Sequence, residues 1–181
     1  MQTSEHRRIA KMINFGIMYG LTAFGLGTRL GIEPEEAQKL IDAYFCRYAG
    51  VKAFRERLLE EVRQSGLTRT LFGRIRPIPE INSRNANQRN YAERTALNSP
   101  LQGTAADLMK LAMIAVARRL REGGLRTRML LQVHDELLFE VPAEELSAAR
   151  ELIKAAMEQV YRLRVPLLVD ISVGPNWRDL K

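Results

Sequence analysis

The sequence predicts an α+β fold, in which a mostly helical first part is followed by a short antiparallel sheet carrying one helix. Three observations lead there. From residue 4 to about residue 123, apolar residues recur at helical spacing, and Gly and Pro mark the ends of the runs. From residue 126 onward the chain reads strand, strand, helix, strand. Elements grouped by type, instead of alternating, belong to α+β folds. A length of 181 residues allows one large domain or two small ones, with enough chain for a real core.

The first helix is expected over residues 4–20, with Ile9, Met12, Ile13 and Gly16 on one side. Arg7, Lys11, Phe15 and Tyr19 fall on the other, one every four residues. Each four-residue step drifts only about 40° around the helix, so these side chains line one face over roughly 18 Å. That length matches an extended nucleoside triphosphate. Cations in the amino-terminal half suit phosphates, and the positive end of the helix dipole strengthens the preference. Rings in the other half suit a base or sugar, and Gly16 and Gly20 would leave room for close approach. A plain surface helix, with its cations in water and its rings on a neighbour, fits the same spacing.

"GLTAFGLGTRLG", residues 20–31, predicts turns around a short helix. Its Gly25-x-Gly27 has no strand before it and no correctly spaced third glycine, so it fails as a dinucleotide fingerprint. Pro34, with Glu33, Glu35 and Glu36 around it, opens the next helix. Gly50 is expected to punctuate it before another helix that ends at Gly66. "TRTLFGRIRPIP" predicts a hairpin around Phe72-Gly73. Residues 86–96 predict a polar helix, and Asn98-Ser99-Pro100 a break. A long amphipathic helix follows, with Thr104 as its N-cap and Gly123-Gly124 at its end. "RTRMLLQVHDELLFEVP" predicts two strands around His134-Asp135-Glu136. A helix with Ile153, Ala156 and Val160 on one face comes next, and "VPLLVDISVG" predicts a last strand.

The formal charge is +7, with a pI near 9.9. Residues 62–100 hold seven Arg against Glu80 and Glu93, which is +5 of the total. A second knot, Arg118 to Arg128, has five Arg against Glu122. Such clustering fits a nucleic-acid or other anionic partner, and equally a solvated basic surface. The single Cys46 excludes an internal disulfide framework, and two histidines with one cysteine cannot build a zinc site. No apolar run reaches the roughly 20 residues of a membrane span, and the first residues lack a signal-peptide core. The expected address is cytoplasmic, without a membrane partner.

His134-Asp135-Glu136 is the second chemical constellation. Adjacent carboxylates at a β-turn could hold Mg²⁺, which takes few carboxylates and completes its shell with substrate phosphates. A plain turn, where Asp is common, is the alternative. The flanking strands are apolar, which predicts a sheet buried on one face and acidic residues in need of a partner. A hydrolase triad is excluded. Neighbouring strand residues face opposite ways, and no G-x-S-x-G elbow is present.

Taken together, these residues resemble one family. Arg7-x₃-Lys11-x₃-Phe15-x₃-Tyr19-Gly20 is similar to motif B of family A DNA polymerases, the bacterial DNA polymerase I group. "QVHDE", residues 132–136, resembles their motif C. "TLFGRIRPIP", "AERTALNSPLQGTAADLMKLAM" and "VPLLVDISVGPNW" match the family pattern in order and spacing, so the resemblance covers nearly the whole chain.

The resemblance implies a helical fingers subdomain over 1–96 and the carboxy-terminal part of the palm over 97–181, both within one polymerase domain. The helix carrying Arg7 would close over the incoming dNTP. Arg7 and Lys11 would hold its phosphates, Phe15 would pack on its sugar and base, and Tyr19 would guard the template stacking position. Arg94, Asn98 and Gln102 would touch the primer–template through minor-groove acceptors shared by all base pairs. Gln132 and His134 would lie by the primer terminus. Asp135 would bind metal, with Glu136 in support, and Lys11 would add charge stabilisation. The implied chemistry is two-Mg²⁺ nucleotidyl transfer, in DNA replication or repair, by a monomer. The family's motif A, with the second metal carboxylate, is absent from these residues, and so is the thumb. The chain therefore reads as part of a longer polymerase and is expected to be inactive alone. A non-catalytic nucleic-acid-binding module built on the polymerase fold is the alternative. A basic domain with some other anionic partner is a third.

Overall fold

A computed structural model describes residues 4–180. It contains six α-helices: α1 (Ser4–Met18), α2 (Ala23–Leu30), α3 (Pro34–Arg47), α4 (Ala49–Ser65), α5 (Ala86–Glu122) and α6 (Leu146–Glu158). Two antiparallel hairpins accompany them, β1 (Leu67–Arg69) with β2 (Ile75–Pro77), and β3 (Arg128–Val133) with β4 (Glu136–Glu140). The fold class is α+β. The chain divides into two compact units, Met1–Thr104 and Ala105–Lys181, with the division inside α5.

In the first unit α1 buries one line of side chains. Ile13 and Ile17 pack with Leu21, Leu26, Ala37, Ile41 and Phe45, and Ile17 and Leu26 are wholly removed from water. The helix stops because Gly20 takes a left-handed φ of +83°. Its N–H then bonds the Ile17 carbonyl at 3.1 Å, and the Leu21 N–H reaches back to the Gly16 carbonyl at 2.8 Å. Leu21 folds over Gly16, where a Cβ would stand 2.8 Å from Leu21 Cδ2. The room that the two glycines were expected to leave for a ligand is filled from within. Leu21 occupies it at Gly16, and Arg94 Cγ lies 3.3 Å from a Cβ built on Gly20.

Thr22 caps α2, accepting from the Gly25 N–H at 3.2 Å. Pro34 opens α3 as expected. The punctuation before α4 is not at Gly50, which lies inside that helix. It falls at Tyr48 (φ −115°, ψ 58°), whose ring packs 4.9 Å from that of Tyr44.

The break expected at Asn98-Ser99-Pro100 does not occur, and α5 runs 37 residues through Pro100. Proline has no N–H, so the Ala96 carbonyl loses its partner four residues on. The buried Thr68 hydroxyl, from β1, donates to that carbonyl at 3.5 Å. Ser99 donates to the Thr95 carbonyl at 2.6 Å and accepts from Arg76 Nη1 of β2 at 3.2 Å. The hairpin thus replaces what the helix lost. Thr104 is not an N-cap. It sits within α5, and its hydroxyl accepts from the Leu71 N–H at 2.9 Å. Leu58 and Val62 of α4, Ile78 and Ile81 after β2, and Ala92, Ala96 and Leu97 of α5 form the core beneath.

In the second unit, Val116 and Leu120 of α5 pack with Ala149, Ile153 and Ala156 of α6, and Met129, Phe139 and Val141 from the hairpin cover them. Leu130 is a bulge, because Met129 faces Phe139 while Leu131 faces Leu138. The Glu145 carboxylate anchors the approach to β3. It accepts from the backbone N–H groups of Arg126 and Thr127 and from the Thr127 hydroxyl, each at 2.9 Å. Arg128 pairs with Glu140 across the hairpin. The last strand expected at 165–174 is not formed. The segment joins no ladder among the described residues, and Val165, Leu168 and Val173 stand 66%, 82% and 53% exposed. A strand requires a paired neighbour. No helix of the described residues is long and apolar enough to cross a membrane.

Thr68→Val should destabilise the first unit by about 1–3 kcal/mol, the penalty for a buried carbonyl left without a donor. In a Pro100→Ala background most of that penalty should vanish, because residue 100 regains its N–H. A denaturant double-mutant cycle measures the coupling, and strictly additive losses would refute this account of the helix. Glu145 makes a pH prediction. The backbone N–H of Arg126, above all, with the other donors, holds its carboxyl below the ordinary value of 4.5. A lowered folded value contributes stability above the unfolded value and loses it as pH falls through the folded one. Denaturation midpoints of the wild-type chain should drop on acidification below pH 4.5, and Glu145→Gln should flatten that drop.

Candidate functional site

The face expected to hold a nucleotide exists as a physical line on α1. Arg7, Lys11 and Phe15 are exposed and Tyr19 is half-buried. Among the described residues, neither Arg7 nor Lys11 joins a salt bridge. Phe15 and Tyr19 stack with ring centroids 6.0 Å apart and planes 19° apart. Tyr19 stands one residue beyond α1, yet its N–H still bonds the Phe15 carbonyl at 3.0 Å, which keeps the two rings in register. The packing of Ile13 and Ile17 on the opposite side turns this line outward.

Arg94, Asn98 and Gln102 follow one another at four-residue spacing on α5, across the proline position. Arg94 and Gln102 are exposed. Asn98 is half-buried, and its side-chain Oδ1 is buried without a hydrogen-bond partner, which costs about 1–3 kcal/mol. Arg94 lies beside Gly20, just past the end of α1, in the space a Cβ there would need. Gln102 opens into a groove of about 260 Å³ that also shows Thr68, Arg69, Arg74, Arg76 and Ser99. The first unit therefore brings together the α1 line, Arg94 and, further along α5, an arginine-lined groove. Sequence reasoning had counted those arginines only as charge. A serine next to proline inside a helical run, with a basic hairpin nearby, was the available signal for the groove.

The second unit holds the other constellation. Val133 pairs with Glu136, so His134 and Asp135 make a two-residue hairpin loop. His134 takes φ +53°, a left-handed value usual for glycine at such a position. Gln132 Nε2 donates to the His134 carbonyl at 2.8 Å and holds the loop. Asp135 and Glu136 are exposed and, among the described residues, unpaired. The expected burial beside these carboxylates is corrected, since they are exposed and Leu130 and Leu131 of the same sheet are themselves 51% and 39% exposed. Exposed oxygen donors suit a hard divalent cation that draws its other ligands from substrate phosphates. Among the described residues, no group of three or more His, Cys, Asp or Glu side chains gathers into an all-protein cage.

Comparison with known proteins gives one consistent answer. The sequence profile of DNA polymerase family A matches residues 1–179. The chain is 50% identical to DNA polymerase I of Bacillus subtilis (strain 168) over 179 residues, which is 99% of this chain and 20% of that protein. It is 51% identical to DNA polymerase I of Chloroflexus aurantiacus over 177 residues, covering 97% and 19%. The chain thus spans about a fifth of the length of the curated relatives it matches. Among solved structures it resembles the POL domain of Pol1 from M. smegmatis in complex with DNA primer-template and dNTP. The TM-score is 0.93 at 44% identity, over 97% of this chain and 31% of that one.

The His134 backbone can be tested directly. His134→Gly should be more stable than His134→Ala by about 1 kcal/mol, since only glycine takes a left-handed φ without a Cβ clash. Equal unfolding midpoints for the two variants would place the loop in another conformation.

Proposed function

The chain belongs to DNA polymerase family A, and from that membership we propose that it carries the nucleotide-binding face and one catalytic carboxylate of a DNA-directed DNA polymerase. The reaction is template-directed transfer of a deoxynucleotide to a primer 3′-hydroxyl. The primer oxygen forms a bond to the α-phosphorus, the bond from that phosphorus to the leaving pyrophosphate breaks, and the hydroxyl proton passes to solvent water. The observation that carries this reading is the Arg7–Lys11–Phe15–Tyr19 line, exposed at its first three residues and ending in two stacked rings.

Each residue has a physical task. Arg7 and Lys11 sit in the amino-terminal half of α1, where fixed cations and the helix dipole favour a triphosphate. Lys11 also opposes the charge that grows on the phosphoryl oxygens during transfer. Phe15 and Tyr19 offer ring faces to sugar and base. Arg94, Asn98 and Gln102 follow the primer–template, and Arg69, Arg74 and Arg76 around the groove supply sequence-independent attraction for its phosphates. Gln132 and His134 border the primer end. Asp135, supported by Glu136, would hold Mg²⁺. When bound, the metal supplies Lewis-acid stabilisation of the phosphate oxygens and of the attacking and leaving groups. The proposed setting is a monomeric cytoplasmic enzyme of replication or repair, in which these 181 residues work with other polymerase residues that supply the second metal carboxylate.

A graft tests the function. Replacing the matching residues of B. subtilis DNA polymerase I with this chain should give a chimaera that extends primers with Mg²⁺. Asp135→Asn should abolish most of that activity. Lys11→Ala should lower kcat by about 10²–10³-fold, the scale of losing one preorganised charge-stabilising donor. Undiminished extension by Asp135→Asn would sink the assignment. The 181-residue chain alone should show no Mg²⁺-dependent extension, and robust synthesis by it would remove the need for a second carboxylate.

A further inference from the structure

Arg63, near the end of α4, pairs with Glu93 of α5, and the other three cations of α4 fall into two kinds. Lys52 and Arg57 lie in water and face Glu56 and Glu61 one turn on. Arg55 has Leu59 one turn on and turns inward, half-buried. Its Nη1 donates to the Ile17 carbonyl of α1 at 3.3 Å, and its guanidinium carbon lies 5.1 Å from the centre of the Phe45 ring of α3. Burial, its largest influence, lowers its pKa, and Glu93, Glu56 and Tyr44 oppose that. Its acceptor belongs to the last turn of α1, where a cation complements the dipole, and that carbonyl also takes the Gly20 N–H at 3.1 Å. Ile17 is wholly buried, so Arg55 joins the Gly20 N–H as a second donor at a carbonyl closed to water.

We propose that Arg55 is a positioning residue for nucleotide binding: stacked on Phe45 and bonded to the Ile17 carbonyl, it fixes the tilt of α1 and so the places of Arg7 and Lys11. The inference rests on α1 being the nucleotide-binding helix. The lever is long. Ten residues separate Ile17 from Arg7, about 15 Å, so a tilt of about 5° at the anchor moves Arg7 by roughly 1.3 Å. Displacements of about 1 Å can cost about 10²-fold where substrate alignment matters. Arg55 touches no substrate in this account. A planar guanidinium can stack and donate at once, and an ammonium cannot reproduce both.

The test compares the 181-residue chain with Arg55→Met, Arg55→Lys and Phe45→Leu, each first shown by thermal melting to be folded. Amide hydrogen exchange is read at Gly20 and Leu21, whose N–H groups close the last turn of α1, with the β1–β2 hairpin as internal control. Calorimetry with Mg²⁺-dATP is run in the presence of a primer–template whose templating base is thymine. Arg55→Met should speed exchange at Gly20 and Leu21 at least fivefold and leave the hairpin unchanged. It should weaken dATP binding at least fivefold while primer–template affinity stays within twofold. Arg55→Lys should fall between, and Phe45→Leu should shift both readouts in the same direction. Unchanged exchange, or faster exchange throughout the first unit, would overturn the proposal, as would dATP and DNA affinities that fall together. If the unaltered chain binds no dATP, the nucleotide reading of α1 fails, and the exchange arm still decides whether Arg55 clasps the helix.

Discussion

A helix that runs through a proline must find other donors for the carbonyl the proline leaves behind, and the first unit is organised around that requirement. Pro100 leaves the Ala96 carbonyl without its helical partner. The donor that meets it, Thr68, belongs to β1, so the hairpin cannot leave α5 without exposing or orphaning a buried polar group. Ser99 and Arg76 add a second tie, and Thr104 with the Leu71 N–H a third. Gly103 allows the closeness, since a Cβ there would lie 2.6 Å from Thr70 Cγ2. The apolar core of Leu58, Val62, Ile78, Ile81 and Ala96 then fills the space under these ties. Hydrogen bonds set the register, and burial supplies most of the driving force.

This arrangement changes the meaning of the basic composition. The arginines of residues 62–100 are not one diffuse cloud. Arg63 pairs with Glu93 at 2.9 Å, Arg89 donates to the Ser83 carbonyl at 3.0 Å, and Arg76 is tied to Ser99. Those bonds give part of the charge a structural task and fix where it stands. Arg69 and Arg74 line the groove, Arg94 lies near the end of α1, and Arg84 is exposed after the short turn that follows β2. A net charge of +7 describes none of this, because net charge carries no position.

Most of the helices were legible, because a 3.6-residue apolar period and terminal Gly or Pro act locally. α1, α2, α3 and the two hairpins stand where those signals put them. The line from Arg7 to Tyr19 was legible for the same reason, since helical geometry alone places four such residues on one face. What escaped were effects of partners distant in sequence. Pro100 reads locally as a stop, and only Thr68, 28 residues earlier at the hydrogen bond, shows why it is not one. Residues 165–174 read as a strand, but a ladder needs a neighbour that local pattern cannot supply. Gly16 reads as space for a ligand, and only the turn at Gly20 brings Leu21 back to occupy it. Arg55 reads as a surface cation until the fold sets it against Phe45 and Ile17.

The chemically interesting residues share a structural address. Tyr19 lies at the end of α1, where Gly20 turns the chain. Asn98 flanks the proline in α5. Asp135 lies in a two-residue loop beside a left-handed His134. At each place the regular backbone pattern is interrupted, and a specific bond holds the interruption: Leu21 to Gly16, Thr68 to Ala96, Gln132 to His134. Regular helix or strand would bury or pair its backbone groups uniformly and leave side chains on fixed, repetitive faces. At Asp135 the interruption exposes a side chain in a direction the strand repeat does not offer, while Tyr19 and Asn98 keep the helical spacing, and at each place the local bond holds the side chain where it stands. Preorganisation of this kind is what charge stabilisation during phosphoryl transfer requires, because groups already in place need not reorganise as charge moves.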